Sequence, residues 1–437
     1  MTERFVLDPE TMRVWEVAAR RITHATGDKS LGERFIAAMT DTLLKTMTLR
    51  SDGTVFVITG DIPAMWLRDS SAQLRPFLPF IRQSAQLRTM VKGVIRQQFD
   101  SMLRDPYANA FNDGPTGAAY DEDDLSGNPW IWERKYEIDS LALPVQLLHS
   151  VWRITGENDL FSGAVYRAFE LIIETWRREQ NHSQSSDYRF YRAKAPALDT
   201  LSHGGQGSPV AVTGMTWSGF RPSDDSCTYG YNIPAQLAAV RALGEISHML
   251  REVFRDAETA DRADKLREEI WEGVRNHGIL TREGGGLPVF AYEVDGLGNA
   301  LFMDDANMPS LLSLPLLSNV SYRDETYLAT REFVLSAENP FYFTGRYASG
   351  VGSPHTPEGY IWHIALAVEA LTTPDRKRMR ELIAVMCKTD GGTGVMHEGF
   401  DPDDPTAFTR PWFSWANSMF CEVLLAYSGH PHVGLGR

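Results

Sequence analysis

The sequence predicts an all-α fold, a closed ring of helical hairpins, on three observations. Six times along the 437 residues a polar, aromatic loop runs into a mostly apolar helical stretch. Between these stretches lie charge-rich segments with a single apolar stripe at helical spacing. Only TVFVIT, within Ser51–Asp61, reads as a strand, after an Asp-Gly turn. Apolar helices that are buried on several sides belong inside, and amphipathic ones belong outside. The spacing between units varies too much for a solenoid of fixed period. A closed ring also brings the six loops to one mouth.

In chain order, Met12, Trp15, Ala18 and Ile22 mark a helix over Pro9–Ala25. Phe35, Ile36, Met39 and Leu43 mark a second over Leu31–Met47. The first loop-and-inner-helix unit is Gly60–Pro76. Four more follow at Asn128–Leu148, Thr216–Val240, Leu301–Leu317 and Ser353–Leu371. Met396–Leu425 is the sixth, with Arg410 and Trp412 at the start of its helix. Gly163–Arg178, Ala257–Arg275 and Pro374–Lys388 carry the amphipathic pattern of outer helices. Phe111–Trp130 and Gln180–Gly214 are rich in Gly, Ser and Asp and read as long loops near the mouth. No linker or low-complexity stretch divides the chain, so residues 1–437 read as a single domain, with minor β elements in its loops.

Composition narrows the partners. The formal net charge of -14 argues against nucleic acid and against an anionic membrane surface. Three cysteines without paired spacing suggest neither a disulfide framework nor a zinc site. His277, His363 and His397 have no metal-ligand spacing. MTERFVLDPETM does not read as a signal peptide, and no apolar run is long enough to span a bilayer, so the expected location is cytoplasmic.

The six junctions concentrate Trp66, Trp130, Trp132, Trp217, Tyr229, Tyr231, Tyr360, Trp362, Trp412 and Trp415. Carboxylates and amides are interleaved with them: Asp69, Glu133, Glu137, Asp139, Asp224, Asp225, Asp304, Asp305, Asn307, Glu358 and Glu398. Sugars present apolar CH faces and a hydroxyl rim, which aromatic rings and carboxylates match. Any single tryptophan is as readily a core residue. Glycoside hydrolysis needs one protonated and one ionised carboxyl across the scissile bond. The best candidates are the Asp224–Asp225 pair, where repulsion favours protonation of one member, and Glu398. Helix capping is the structural alternative for Asp224, Asp225 and Asp69. The acidic run Asp121–Asp124 has no basic partner close in sequence and reads as a solvated loop.

GDIPAMWLRDSSAQLRP, PWIWERKYEIDSLALP, GMTWSGFRPSDDSCTYGYNIPA, GSPHTPEGYIWHIALA and MHEGFDPDDPTAFTRPWFSWANS resemble the exo-acting α-1,6-mannosidases of glycoside hydrolase family 125. The resemblance runs from about Glu10 to Tyr427. It implies an (α/α)6 barrel and inverting hydrolysis of terminal mannose from α-mannosides such as N-glycan or mannan fragments. No metal or other cofactor is implied. It further implies Asp225 as general acid and Glu398 as general base. Trp66, Arg68, Asp69, Glu137, Asp224, Asn307 and His355 would line the mannose pocket. One departure stands at position 399, where the family's commoner Ser is Gly. Rival readings are an (α/α)6 glycosidase of other linkage specificity, a catalytically inactive glycan-binding protein, and an isoprenoid-type α-barrel using Asp121–Asp124 with Mg²⁺.

Overall fold

The computed structural model describes residues 2–121 and 127–430. Of the acidic run 121–124, only Asp121 falls within them. The outer helices are α1 (Pro9–Thr26), α2 (Lys29–Asp41), α4 (Ala85–Arg104), α6 (Gly163–Glu179), α8 (Ala257–Gly273), α10 (Glu325–Val334) and α12 (Arg376–Lys388). The inner ones are α3 (Leu67–Gln73), α5 (Asp139–Thr155), α7 (Ile233–Met249), α9 (Leu314–Leu317), α11 (His363–Thr372) and α13 (Ser414–Tyr427). The inner six close a ring: α3 packs on α5, α5 on α7, α7 on α9, α9 on α11, α11 on α13, and α13 back on α3.

Burial follows the polarity pattern. α11 is buried from His363 to Thr372, and α13 is buried over nearly its whole length. α8 buries Thr259, Ala260, Ala263, Leu266 and Ile270, an i, i+3/i+4 stripe, and leaves its charges in solvent. The helix ends also differ. Asp8, Asp28, Ser84, Ser162, Asp256, Asp324 and Asp375 cap the outer helices, each accepting from a backbone N–H of the first turn. α3, α5, α9, α11 and α13 begin without such a side-chain cap, while Asn232 caps α7. The partly positive N-terminal ends of the inner helices therefore stay available to the site residues that begin them.

Three details depart from the sequence reading. The second helix stops at Asp41. Thr42–Thr46 then widens into a π turn, and Met47–Arg50 becomes a strand pairing with both Val55–Val57 and Thr2–Arg4. The fourth inner helix keeps one turn, because Pro315 is tolerated only in the first turn and Pro309 breaks the stretch before it. The last inner helix starts at Ser414, so Arg410 and Trp412 belong to its entry loop.

Candidate active site

Short strands pin the loops at the N-terminal ends of the inner helices. Met65–Trp66, just before α3, pairs with Ala110–Phe111, which pairs with Ile131–Glu133. Tyr231–Asn232, just before α7, pairs with Glu293–Val294, and that strand pairs with Ala300–Leu301. Ile361–Trp362, just before α11, pairs with Gly399–Phe400. A bridge between Gly60 and Phe413 joins the first entry loop to the last. The loops enclose a cavity of about 780 Å³, its open mouth included. Its lining includes Ile62, Trp66, Trp362, Phe413 and Trp415 among apolar groups, and Arg68, Asp69, Asp224, Asn307, His355, Glu398 and Arg410 among polar ones. Apolar walls with a few convergent polar groups are typical of a small-ligand site.

Arg68 organises one wall. Its side chain is 2% exposed and faces four carboxylates. It donates to Glu137 Oε2 at 2.6 Å, Asp139 Oδ2 at 3.5 Å and Asp224 Oδ1 at 3.3 Å, and its Nε lies 3.4 Å from Asp69 Oδ1. One guanidinium cannot neutralise four buried anions, so their protonation separates. Burial pushes Asp69 and Asp139 up to about 6 despite Arg68. Burial also carries Glu137 well above the carboxylate range. Burial opposes charge on Asp224 too, but Arg68, a hydrogen bond from Glu137, and the charges of Lys135 and His355 hold it well below its ordinary value. Asp224 Oδ1 also accepts from Trp66 Nε1 at 3.2 Å and Asn109 Nδ2 at 3.1 Å. Asp224 therefore stays ionised at neutral pH and below, while Asp69 and Asp139 lose their protons only as pH rises through about 6.

The Asp-Asp pair sits on a tight turn, closed by an antiparallel bridge between Phe220 and Ser226. Arg221 N donates to Asp225 O at 2.7 Å, and Asp224 N to Arg221 O at 2.9 Å. Arg221 Nε anchors the turn on Glu293 at 2.6 Å, and Ser223 Oγ anchors it on Asp305 at 2.9 Å. Asp224 has φ of +68, in the left-handed region that costs a non-glycine residue energy. That conformation sends the two adjacent carboxylates apart. Asp224 meets Arg68, and Asp225 Oδ1 meets His355 Nδ1 at 2.9 Å. Asp225 Oδ2 is buried without a hydrogen-bond partner among the described residues. Neither aspartate caps α7, and Asp69 lies in the third helical position of α3, behind Trp66 as its N-cap.

Glu398 comes from the loop before α13. Its carbonyl accepts from His363 N at 3.3 Å. Met396 N donates to Asn417 Oδ1 at 3.0 Å, and Gly399 N to Thr409 Oγ1 at 2.9 Å, so both flanks of the carboxylate are tied down. Arg410 Nη1 lies 3.8 Å from Glu398 Oε1. Arg410 is aimed by Asp61, which accepts its Nε at 2.8 Å, and by Thr59, which accepts its Nη2 at 2.7 Å. Asp401 and Asp404 spend their carboxylates on the backbone amides of Asp403 and Thr406. They are turn residues. A Cβ at Gly399 would lie 3.3 to 3.4 Å from Thr409 Oγ1, Trp362 Nε1 and Thr356 Oγ1, a polar setting with little spare room.

The cavity thus brings together seven of the expected residues: Trp66, Arg68, Asp69, Asp224, Asn307, His355 and Glu398. Glu137 stands one layer behind, reached through Arg68, and Asp225, its side chain 7% exposed, meets the lining at His355. Most of the other aromatic candidates serve elsewhere. Trp217 stacks on His182 in the core at 3.6 Å, Trp130 lies under Arg104, and Trp412 donates to Asp41 at 2.8 Å. Asp304 accepts from the amides of Leu311 and Leu312, and burial lifts it to about 8. The reading of the sequence did not assign to the site Tyr120, Lys135, Asp199, Ser223, Thr59 or Arg410, all of which line the cavity. Tyr120 and Asp199 come from the two long insertions. Only their Gly/Ser/Asp-rich character signalled a place near the mouth. Among the described residues, no group of three or more His, Cys, Asp or Glu side chains is arranged to hold a metal ion.

The sequence profile described as "Metal-independent alpha-mannosidase (GH125)" matches residues 28–425. A Schizosaccharomyces pombe (strain 972 / ATCC 24843) protein, "Meiotically up-regulated gene 157 protein", is 38% identical over 428 residues, covering 91% of this chain and 82% of that protein. A solved Streptococcus pneumoniae structure, from work on metal-independent α-mannosidases and the processing of N-linked glycans, is 46% identical with a TM-score of 0.93. It covers 97% of this chain and 99% of that one, and is a non-productive substrate complex with α-1,6-mannobiose. A bacterial glucoamylase complexed with acarbose is 12% identical, with a TM-score of 0.60 over 92% of this chain and 56% of that one. That last likeness concerns the fold alone.

Proposed function

The chain belongs to glycoside hydrolase family 125, the metal-independent α-mannosidases, and we propose on that premise that it releases terminal mannose from α-1,6-linked mannosides with inversion. The observation that carries the proposal is the pairing of an Asp225–His355 couple with Glu398 beside Arg410, around one cavity of aromatic walls. The α-1,6-mannobiose held by the Streptococcus pneumoniae relative supports the linkage. The connection of that relative with N-linked glycan processing supports N-glycan fragments as substrates. Unpaired cysteines at 227, 387 and 421 fit a reducing compartment and support a cytoplasmic site of action.

Asp225 acts as the general acid and Glu398 as the general base. The protonation pattern supports giving the acid role to Asp225 over Asp224. Asp224 is held ionised by Arg68 and is suited to accept hydrogen bonds from sugar hydroxyls. His355, hydrogen-bonded to the Asp225 carboxyl, has its imidazole pushed up to about 9 and so holds a proton beside that carboxyl at neutral pH. In the reaction, Asp225 gives a proton to the glycosidic oxygen as the C1–O bond breaks. Glu398 takes one from the water that attacks the opposite face of C1. Asp69, Arg68, Asn307 and Asp224 hold the mannose hydroxyls, and Trp66 meets its apolar face.

Proton NMR of the first product formed tests the stereochemistry. β-Mannose is expected, and initial α-mannose would overturn inversion. A panel of α-1,2-, α-1,3- and α-1,6-mannobioses tests the linkage. Comparable rates on all three would remove the α-1,6 assignment, and binding without turnover would favour the inactive glycan-binding reading.

A further inference from the structure

We propose that His355 is the positioning residue of Asp225, orienting its carboxyl and keeping on the pair the proton that Asp225 donates in each turnover. The inference rests on reading Asp225 as the acid. Three observations carry it.

First, Asp225 has a single side-chain hydrogen bond among the described residues. Oδ1 meets His355 Nδ1 at 2.9 Å, while the buried Oδ2 has no partner among the described residues. Removing the imidazole would leave the carboxyl with no side-chain hydrogen bond and free to turn. Second, the two groups differ in access. The Asp225 side chain is 7% exposed and the His355 side chain 37%, and His355 is the one on the cavity lining. Third, the imidazole is itself held. His355 N donates to Ser353 Oγ at 3.1 Å, and the ring stands edge-on to Trp362 with centroids 6.3 Å apart. Trp362 is fixed in turn by its Nε1 bond to Thr356 Oγ1 at 2.9 Å.

The surrounding charges agree. Partial desolvation in the mouth works against a charge on His355, but the hydrogen bond and charge of Asp225, together with Glu398 and Asp224, outweigh it. Behind Asp225 stand Asp305 and Arg221, behind Asp224 stand Arg68 and Lys135, and behind Glu398 stands Arg410. The carboxylates nearest the ring favour imidazolium. The proton balance over a turnover is then closed. The pair loses one proton to the leaving oxygen, and Glu398 gains one from the attacking water. Release of the Glu398 proton to water and uptake of one proton by the pair restore both groups.

The test compares His355→Asn, His355→Ala and Asp225→Asn in the full chain, on α-1,6-mannobiose and on a dinitrophenyl α-mannoside. The aryl leaving group departs without protonation, so it reports everything except the acid step. His355→Asn is expected to lose about 10- to 100-fold in kcat/KM on the mannobiose near neutral pH, and only a few-fold on the aryl substrate. Its alkaline limb on the mannobiose should move at least about one pH unit toward acid, since the pair loses its proton earlier. Added imidazole should restore part of the mannobiose activity of His355→Ala and leave its aryl activity unchanged. An unmoved alkaline limb, or equal losses on both substrates in a folded variant, would overturn the proposal and leave His355 a structural or sugar-binding residue. If Asp225→Asn keeps its mannobiose activity, the acid assignment itself falls. If Asp225→Asn loses that activity and His355→Asn does not, only the role of His355 falls.

Discussion

Arg68→Met is the most informative stability experiment on the site wall. Methionine replaces much of the aliphatic stem, so the change isolates a charge shared by Glu137, Asp139, Asp69 and Asp224. Removing one partner of a buried ion pair costs about 3–5 kcal/mol, because the other charge stays buried. Here the cost depends on pH. Burial raises Asp69 and Asp139 from 3.8 to about 6 even with Arg68 present. A raised folded-state value means that each carboxyl's contribution to stability is complete below its unfolded value and is lost as pH rises through about 6. At 1.36 kcal/mol per pH unit, that loss is about 3 kcal/mol for each carboxyl. Arg68 limits it, and without the guanidinium both values rise further. Burial moves Glu137 in the same direction. Near pH 5, Asp69 and Asp139 are mostly protonated with or without Arg68, so Arg68 then pairs chiefly with Asp224. Chemical unfolding can be followed by circular dichroism and by tryptophan fluorescence, Trp415 lying 5.9 Å from the guanidinium carbon. The expected loss is about 3–5 kcal/mol near pH 8 and roughly half that near pH 5. Equal losses at the two pH values, or less than about 1 kcal/mol near pH 8, would refute the account of one cation serving four carboxylates.

Four further outcomes are expected. Glu398→Gln should lower kcat on α-1,6-mannobiose by at least about 10²-fold with KM little changed, since the base acts in the transition state. Steady-state kinetics of a folded variant at near wild-type rate would remove Glu398 from that role. Gly60→Ala should destabilise the fold by about 3 kcal/mol or more. Its φ is +134, and an added Cβ would collide with the carbonyl oxygen of Trp412 where the first and last entry loops meet, which thermal unfolding would detect. Gly399→Ser should keep activity within a few-fold, because the new hydroxyl enters a setting of Thr409, Thr356 and Trp362 polar atoms; a loss beyond about 10² would mean that the tight contacts dominate. Extended dialysis against EDTA should leave the mannobiose rate unchanged. Loss of activity restored by a divalent cation would revive a metal-dependent mechanism.

Much of the ring was legible because helical periodicity and polarity are local properties. α8 and α12 carry one stripe, α7 and α13 are apolar nearly all round, and that contrast sorts outer from inner before any contact is known. The fourth inner helix was overread. Its apolar content matches the others, but two prolines decide its length. The aromatic set was informative as a group and ambiguous residue by residue. Trp66 and Trp217 sit at similar junctions in the sequence, yet one faces the cavity and the other stacks on His182 in the core. Hydrophobicity requires that a ring be buried and does not say in which direction.

The sequence by itself determined the helical class, the inside-outside order of the helices, the loops that carry the chemistry and, through long motifs, the family. Tertiary structure decided which partners each carboxylate meets. Asp224 and Asp225 are neighbours with the same side chain, and a left-handed backbone at Asp224 sends one to Arg68 and the other to His355, 130 residues away. Arg410, read as the start of a helix, becomes the cation beside Glu398 once Asp61 and Thr59 draw its guanidinium into the cavity. Tyr120 and Asp199 reach the same cavity from the two long insertions. The physical reason is common to all three. Protonation state and reach depend on burial and on charges brought close by the fold, and neither is carried by the order of residues along the chain.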